Sequence, residues 1–85
     1  KSFSDLALYP NPFRERVELS FQHATGGQLD LEVRDVYGIQ QLQWRTEMAR
    51  GAQTQVVDLS GLAAGCYVLI LSDGERRETL RIIKQ

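Results

Sequence analysis

Glycine and proline interrupt this chain about every ten residues: Pro10 and Pro12, Gly26 and Gly27, Gly38, Gly51, Gly61, Gly65 and Gly74. Glycine breaks regular structure through its backbone freedom, proline through its missing N–H. Spacing of this kind suits an all-β sandwich or barrel. The pieces between the breaks alternate. Val17, Leu19 and Phe21 are apolar while Glu18, Ser20 and Gln22 are polar; Leu29, Leu31 and Val33 repeat the pattern against Asp30, Glu32 and Arg34. A period of two places each apolar set on one face of a sheet. No window longer than about eight residues offers the i, i+3, i+4 spacing of an amphipathic helix.

Turn chemistry locates the reversals. In Arg34-Asp35-Val36-Tyr37-Gly38-Ile39, Asp opens and Gly closes what fits a type I turn with a left-handed glycine. Asp73-Gly74 is the strongest hairpin signal. Residues 59–65 are small and glycine-rich and read as a tight crossover, whereas residues 66–71 are apolar on both faces and mark an interior strand. The reading predicts seven strands, at about 6–9, 16–22, 28–35, 39–46, 53–58, 66–72 and 76–84. They would form an all-β, immunoglobulin-like or fibronectin-III-like antiparallel sandwich. Its expected inner face includes Val17, Leu19, Phe21, Leu29, Leu31, Val33, Leu42, Trp44, Val56, Tyr67 and Leu69. Tyr67 fits a tyrosine corner, in which the hydroxyl bonds back to backbone a few residues upstream.

At 85 residues there is room for one domain, with residues 1–5 read as a linker remnant and 6–85 as the sandwich. Ten basic against eleven acidic residues leave a net charge of −1, which is no footprint for nucleic acid or an anionic membrane. The longest apolar run has six residues, too few to span a bilayer. No signal peptide is visible at Lys1; that of an exported parent protein would lie outside this sequence.

The residues that carry chemistry elsewhere read here as structural. Asp35, Asp58 and Asp73 sit at turns, where Asp bonds its own local backbone. No D-x-D-x-D loop gathers oxygens for calcium. His23 lies in a polar loop and is expected to be exposed; Cys66, among apolar neighbours, is expected to be a buried inert thiol. One cysteine excludes an internal disulfide and a cysteine-based zinc cage. Trp44 fits a core or half-buried position better than a sugar-stacking one. These residues predict no catalytic group, no cofactor and no metal.

Four blocks stand in order along residues 9–84. Tyr9-Pro10-Asn11-Pro12-Phe13 comes first, then Val33-Arg34-Asp35-Val36-Tyr37-Gly38, a strand ending in D-x-x-G. Residues 57–69 carry V-x-L-x-x-L-x-x-G-x-Y-x-L, and Leu80-Arg81-Ile82-Ile83-Lys84 ends on a basic residue. In these blocks the chain resembles the type A C-terminal sorting domains of the type IX secretion system of Bacteroidetes. The motif positions are Tyr9, Pro10, Asn11, Pro12, Asp35, Gly38, Leu62, Gly65 and Tyr67. Cys66 departs from the usual aliphatic residue, and Gln85 follows the basic residue that normally ends the motif.

The resemblance implies a secretion address and not an enzyme. It implies a larger cargo that crosses the inner membrane by a signal peptide, folds in the periplasm and passes the outer membrane to the cell surface or the medium. The implied partners are the type IX translocon with its outer-membrane shuttle components, an N-terminal cargo domain in the same chain, and a sortase-like cysteine peptidase cutting near or before residues 1–5. A stop codon is expected after Gln85. The alternative is an immunoglobulin-like accessory module of a cell-surface enzyme, binding carbohydrate or spacing domains, with more chain after it.

Cys66, Val68 and Ile70 alternate with Tyr67, Leu69 and Leu71, so one triplet must face away from the core. The tyrosine corner favours Tyr67 inward. An outward apolar strip rimmed by Arg76, Arg77 and Arg81 has the makeup of a docking surface. The translocon is expected to read residues 73–85, with Val68, Ile70, Arg81, Ile82, Ile83, Lys84 and Gln85 as contacts. The terminal strand has few evident anchors, so it is also expected to pair in trans as a strand-exchanged homodimer.

Overall fold

A computed structural model describes residues 3–85. Seven strands follow in order: β1 (Phe3–Tyr9), β2 (Arg16–His23), β3 (Gly27–Asp35), β4 (Gln40–Met48), β5 (Gly51–Asp58), β6 (Gly65–Ser72) and β7 (Arg77–Lys84). They form two antiparallel sheets, ordered β1-β2-β5 and β4-β3-β6-β7. The chain changes sheet after β2, β4 and β5, so each sheet mixes early and late strands, an immunoglobulin-like sandwich.

Alternation along β2 and β3 dictates the core. Val17, Leu19 and Phe21 face Leu29, Leu31 and Val33, joined by Tyr67, Leu69 and Leu71 of β6 and Ile82 of β7. Leu42 and Trp44 of β4 are partly buried and pack against this cluster. Expectation and structure differ on β5. Val56 is 61% exposed and Val57 is 2% exposed. Two successive valines satisfy either parity, and pairing decides: Val57 lies opposite inward Val17, and Val56 opposite Glu18.

The linker expected at residues 1–5 is occupied by β1 from Phe3 onward; Lys1 and Ser2 lie outside the described residues. Phe3 is buried and stacks edge-on with Phe21, at a centroid distance of 5.4 Å. The pairing of β1 with β2 shifts register between Ser4 and Ala7, where Asp5 has φ 54°. This bulge turns the Phe3–Leu6 spacing of three into a common inward face, which a strict period of two does not reveal.

His23 is buried, contrary to the exposed loop position expected of it. Its Nδ1 accepts the Gly26 N–H at 2.9 Å, so Nε2 carries the proton it donates to Asp73 Oδ2 at 2.8 Å. The pair fastens the end of β2 to the β6–β7 turn at one end of the sandwich. Cys66 is exposed rather than buried, because Tyr67 beside it takes the inward direction.

Candidate functional site

The four sequence blocks meet at the other end of the sandwich. β3 and β7 finish there and β6 begins there, as the register of Asp35 with Tyr67 and of Gly65 with Lys84 requires, and the bonds of Asn11 to Ile83 and of Lys84 to Leu59 bring in the ends of β1 and β5. Hydrogen bonds between distant residues then knit the blocks together.

Asn11 occupies the turn after β1, in a segment where the Tyr9–Pro10 and Asn11–Pro12 peptide bonds are both cis. Its side chain imitates a strand backbone: Nδ2 donates to the Arg81 carbonyl at 2.9 Å and Oδ1 accepts the Ile83 N–H at 3.0 Å. Phe13 continues the contact as a parallel bridge beside Lys84, its N–H donating to the Ile83 carbonyl and its carbonyl accepting the Gln85 N–H. The first block therefore covers the outer edge of β7 along its final residues. Tyr9, Pro10 and Pro12 are exposed around this contact.

Lys84 is turned toward the protein. Its ammonium donates to the carbonyls of Leu59, Ser60 and Leu62 at 2.9, 3.1 and 2.6 Å. It thus satisfies the carbonyls of the β5–β6 crossover, which have no ladder partner. The crossover is held from its other side by Tyr67, whose hydroxyl donates to the Ala63 carbonyl at 2.6 Å, the expected tyrosine corner. Leu62 packs partly buried on the core. Asp58 caps the same turn by accepting the Ser60 N–H at 3.0 Å. That bond, the Ser60 hydroxyl and the Arg16 and Lys84 cations hold its carboxyl below the ordinary value.

Asp35 performs the equivalent service at the β3–β4 turn. Oδ1 accepts the N–H groups of Tyr37 and Ile39 at 2.9 and 3.0 Å, and Oδ2 accepts Gln41 Nε2 at 2.9 Å. Partial desolvation pushes this carboxyl up, but the Ile39, Tyr37 and Gln41 bonds outweigh it, and the net direction is down. Gly38 takes φ +80° in the turn, a conformation side chains rarely adopt. The turn therefore presents a fixed apolar tip: Val36 and Ile39 are exposed and Tyr37 is 84% exposed. In the sequence the turn motif masks this tip. The signal was available as three large apolar residues at positions that cannot reach a core.

The outward strip lies beside the tip. Val68 of β6 is half-buried opposite Arg81, and Cys66 pairs with Ile83, which is 40% exposed. A shallow depression of about 320 Å³ is lined by Val36, Cys66, Tyr67, Val68 and Arg81. Ile70 also points outward but is buried between Glu32 on β3 and Thr79 on β7. Two expected contacts have other roles. Ile82 is fully buried, opposite Tyr67, because it shares the inward parity of Leu80. Lys84 spends its donors on the crossover. Gln85 is exposed but fixed through its backbone to Phe13.

Comparison with known proteins bears on the same residues. A family model described as the secretion system C-terminal sorting domain matches residues 7–85, a span that takes in all four blocks. No curated protein and no solved structure matches the chain.

Proposed function

Because the chain belongs to the type IX secretion C-terminal sorting domains, we propose that the outer-membrane translocon reads it as a folded unit on the outer face of β6 and β7. A signal of this kind implies export to the cell surface or the extracellular space, interaction with the type IX machinery, and a cargo in the same chain. The contacts in this reading are Val68, Arg81 and Ile83, with Ile70 beneath them and the Val36–Tyr37 tip at the margin. Asn11, Asp35, Tyr67 and Lys84 act through the fold: they hold the strands that carry those contacts.

The observation behind the proposal is the convergence of all four blocks on one end, beside an apolar strip that the core leaves outside. Exposed apolar groups rimmed by charge are the usual makeup of a docking surface. Trp44, the residue an accessory carbohydrate module would use for stacking, packs against the core instead.

Removal by a sortase-like cysteine peptidase completes the proposed route. A peptidase needs accessible extended backbone. Phe3 is buried and paired with His23, so the cut falls N-terminal to Phe3. The test is to append the 85-residue chain to a periplasmic reporter in a type IX-competent cell. Reporter at the surface or in the medium is expected. A folded fusion that stays in the periplasm would overturn the proposal.

A further inference from the structure

The outer edge of β7 is covered along only half its length. The β6–β7 turn closes with the Asp73 N–H donating to the Arg76 carbonyl, and antiparallel alternation from that pair points the even-numbered backbone groups of β7 at β6. The odd-numbered groups point outward. Of these, the Arg81 carbonyl, both groups of Ile83 and the Gln85 N–H are taken by Asn11 and Phe13. The N–H and carbonyl of Arg77 and of Thr79, and the Arg81 N–H, bond nothing among the described residues. A row of unpaired backbone groups is a template for another strand.

The side chains along that row specify its partner. Arg77, Thr79 and Arg81 share the outer face of the edge, with Arg76 in the turn beside them, and all four are exposed. None of these arginines forms an ion pair among the described residues. Of the acidic residues on the same sheet face, Asp30 pairs with Arg45 and Glu32 with Arg34, and Glu47 stands on β4, at the opposite edge of the sheet. A second copy fits poorly: antiparallel self-pairing centred on Thr79 would set each Arg77 against an Arg81, and like charges directly opposite are destabilising.

We infer that the open half of β7, from Arg77 to Arg81, is a strand-addition site for an extended acidic segment of the export machinery. The inference rests on the reading that the machinery docks on β6 and β7, and it adds the mode: backbone pairing gives affinity while Arg77 and Arg81 select acidic side chains. The Asn11–Phe13 contact sets the register by closing the edge beyond Arg81.

The experiment uses the 85-residue chain and a short synthetic peptide alternating glutamate and valine. Amide exchange should show protection gained at Arg77, Thr79 and Arg81 when peptide is added, with binding that weakens in salt. Thr79→Pro removes an outward N–H without touching the β6 ladder, as edge strands tolerate. It should weaken binding about tenfold or more, whereas Thr79→Val should not. Arg77→Glu with Arg81→Glu should abolish binding and leave the melting transition intact, which keeps the test decisive if Thr79→Pro misfolds. No binding, equal binding by a folded Thr79→Pro variant, or protection arising instead from a dimer of the chain would each overturn the inference. Export of the reporter fusion separates the two levels. If Val68→Glu blocks export and folded Thr79→Pro does not, strand addition falls and face recognition stands; if neither blocks it, both fall.

Discussion

The side-chain carbonyl of Asn11 accepts the Ile83 N–H at 3.0 Å, across a sequence separation of 72 residues. With the bond to the Arg81 carbonyl, one exposed amide joins the first block of the chain to the last. Asn11→Ala should destabilise the domain by about 1 kcal/mol, since each such bond contributes ~0.5–1.5 kcal/mol and these are exposed. Amide exchange at Ile83 should accelerate more than at core residues of β3. Unchanged exchange at Ile83 would show that the contact does not hold the strand.

Lys84 should behave as a structural residue. Lys84→Met keeps the aliphatic stem but removes a donor from three carbonyls, of which only that of Leu59 keeps another, the Leu62 N–H, for a cost of about 1–3 kcal/mol in urea unfolding. Lys84→Arg should lie between the two, because a planar guanidinium cannot aim at all three acceptors as an ammonium does. Any loss of export in these variants should track their stability. A Lys84→Met domain as stable as the parent but not exported would make the ammonium a contact instead.

Tyr67→Phe deletes the donor to the Ala63 carbonyl and keeps the ring. Thermal or urea unfolding should show a loss of ~0.5–1.5 kcal/mol. The β5–β6 crossover, not the core, should show the faster amide exchange.

Acid stability follows from Asp35 and Asp58, whose carboxyls titrate below the ordinary value of 3.8 in the folded chain. On acidification the unfolded chain therefore takes up protons first. The stabilisation is present above 3.8 and is lost as pH falls through the lower, folded values. Unfolding measured as a function of pH should show this decline below about pH 4, and Asp35→Asn or Asp58→Asn should reduce stability at neutral pH and flatten the acid limb. An unchanged acid limb in both variants would contradict the assignment.

Most of the strand framework was legible because β2 and β3 are half-buried and obey a strict period of two. It failed where tertiary pairing overrides local pattern. Val56 and Val57 are equivalent until β2 is placed beside them. Phe3 belongs to the core only through the Asp5 bulge. His23 looks like a loop residue until Asp73, 50 positions away, meets its ring. The site divides in the same way. Tyr67 declared its corner through Gly65 and the crossover, and with Tyr67 inward the alternation of β6 turns Val68 outward. The destination of Lys84 was hidden, because three carbonyls of a distant turn leave no trace in side-chain pattern. So was the role of Asn11, whose partner is backbone.

Recognition on the β6–β7 face is decided by the export of a cargo carrying the Val68→Glu, Ile83→Glu double variant of this domain. Both side chains face outward, so the variant should still melt cooperatively near the parent. This folded variant should accumulate in the periplasm while the parent reaches the surface or the medium. Normal export of the folded variant would contradict recognition on the β6–β7 face.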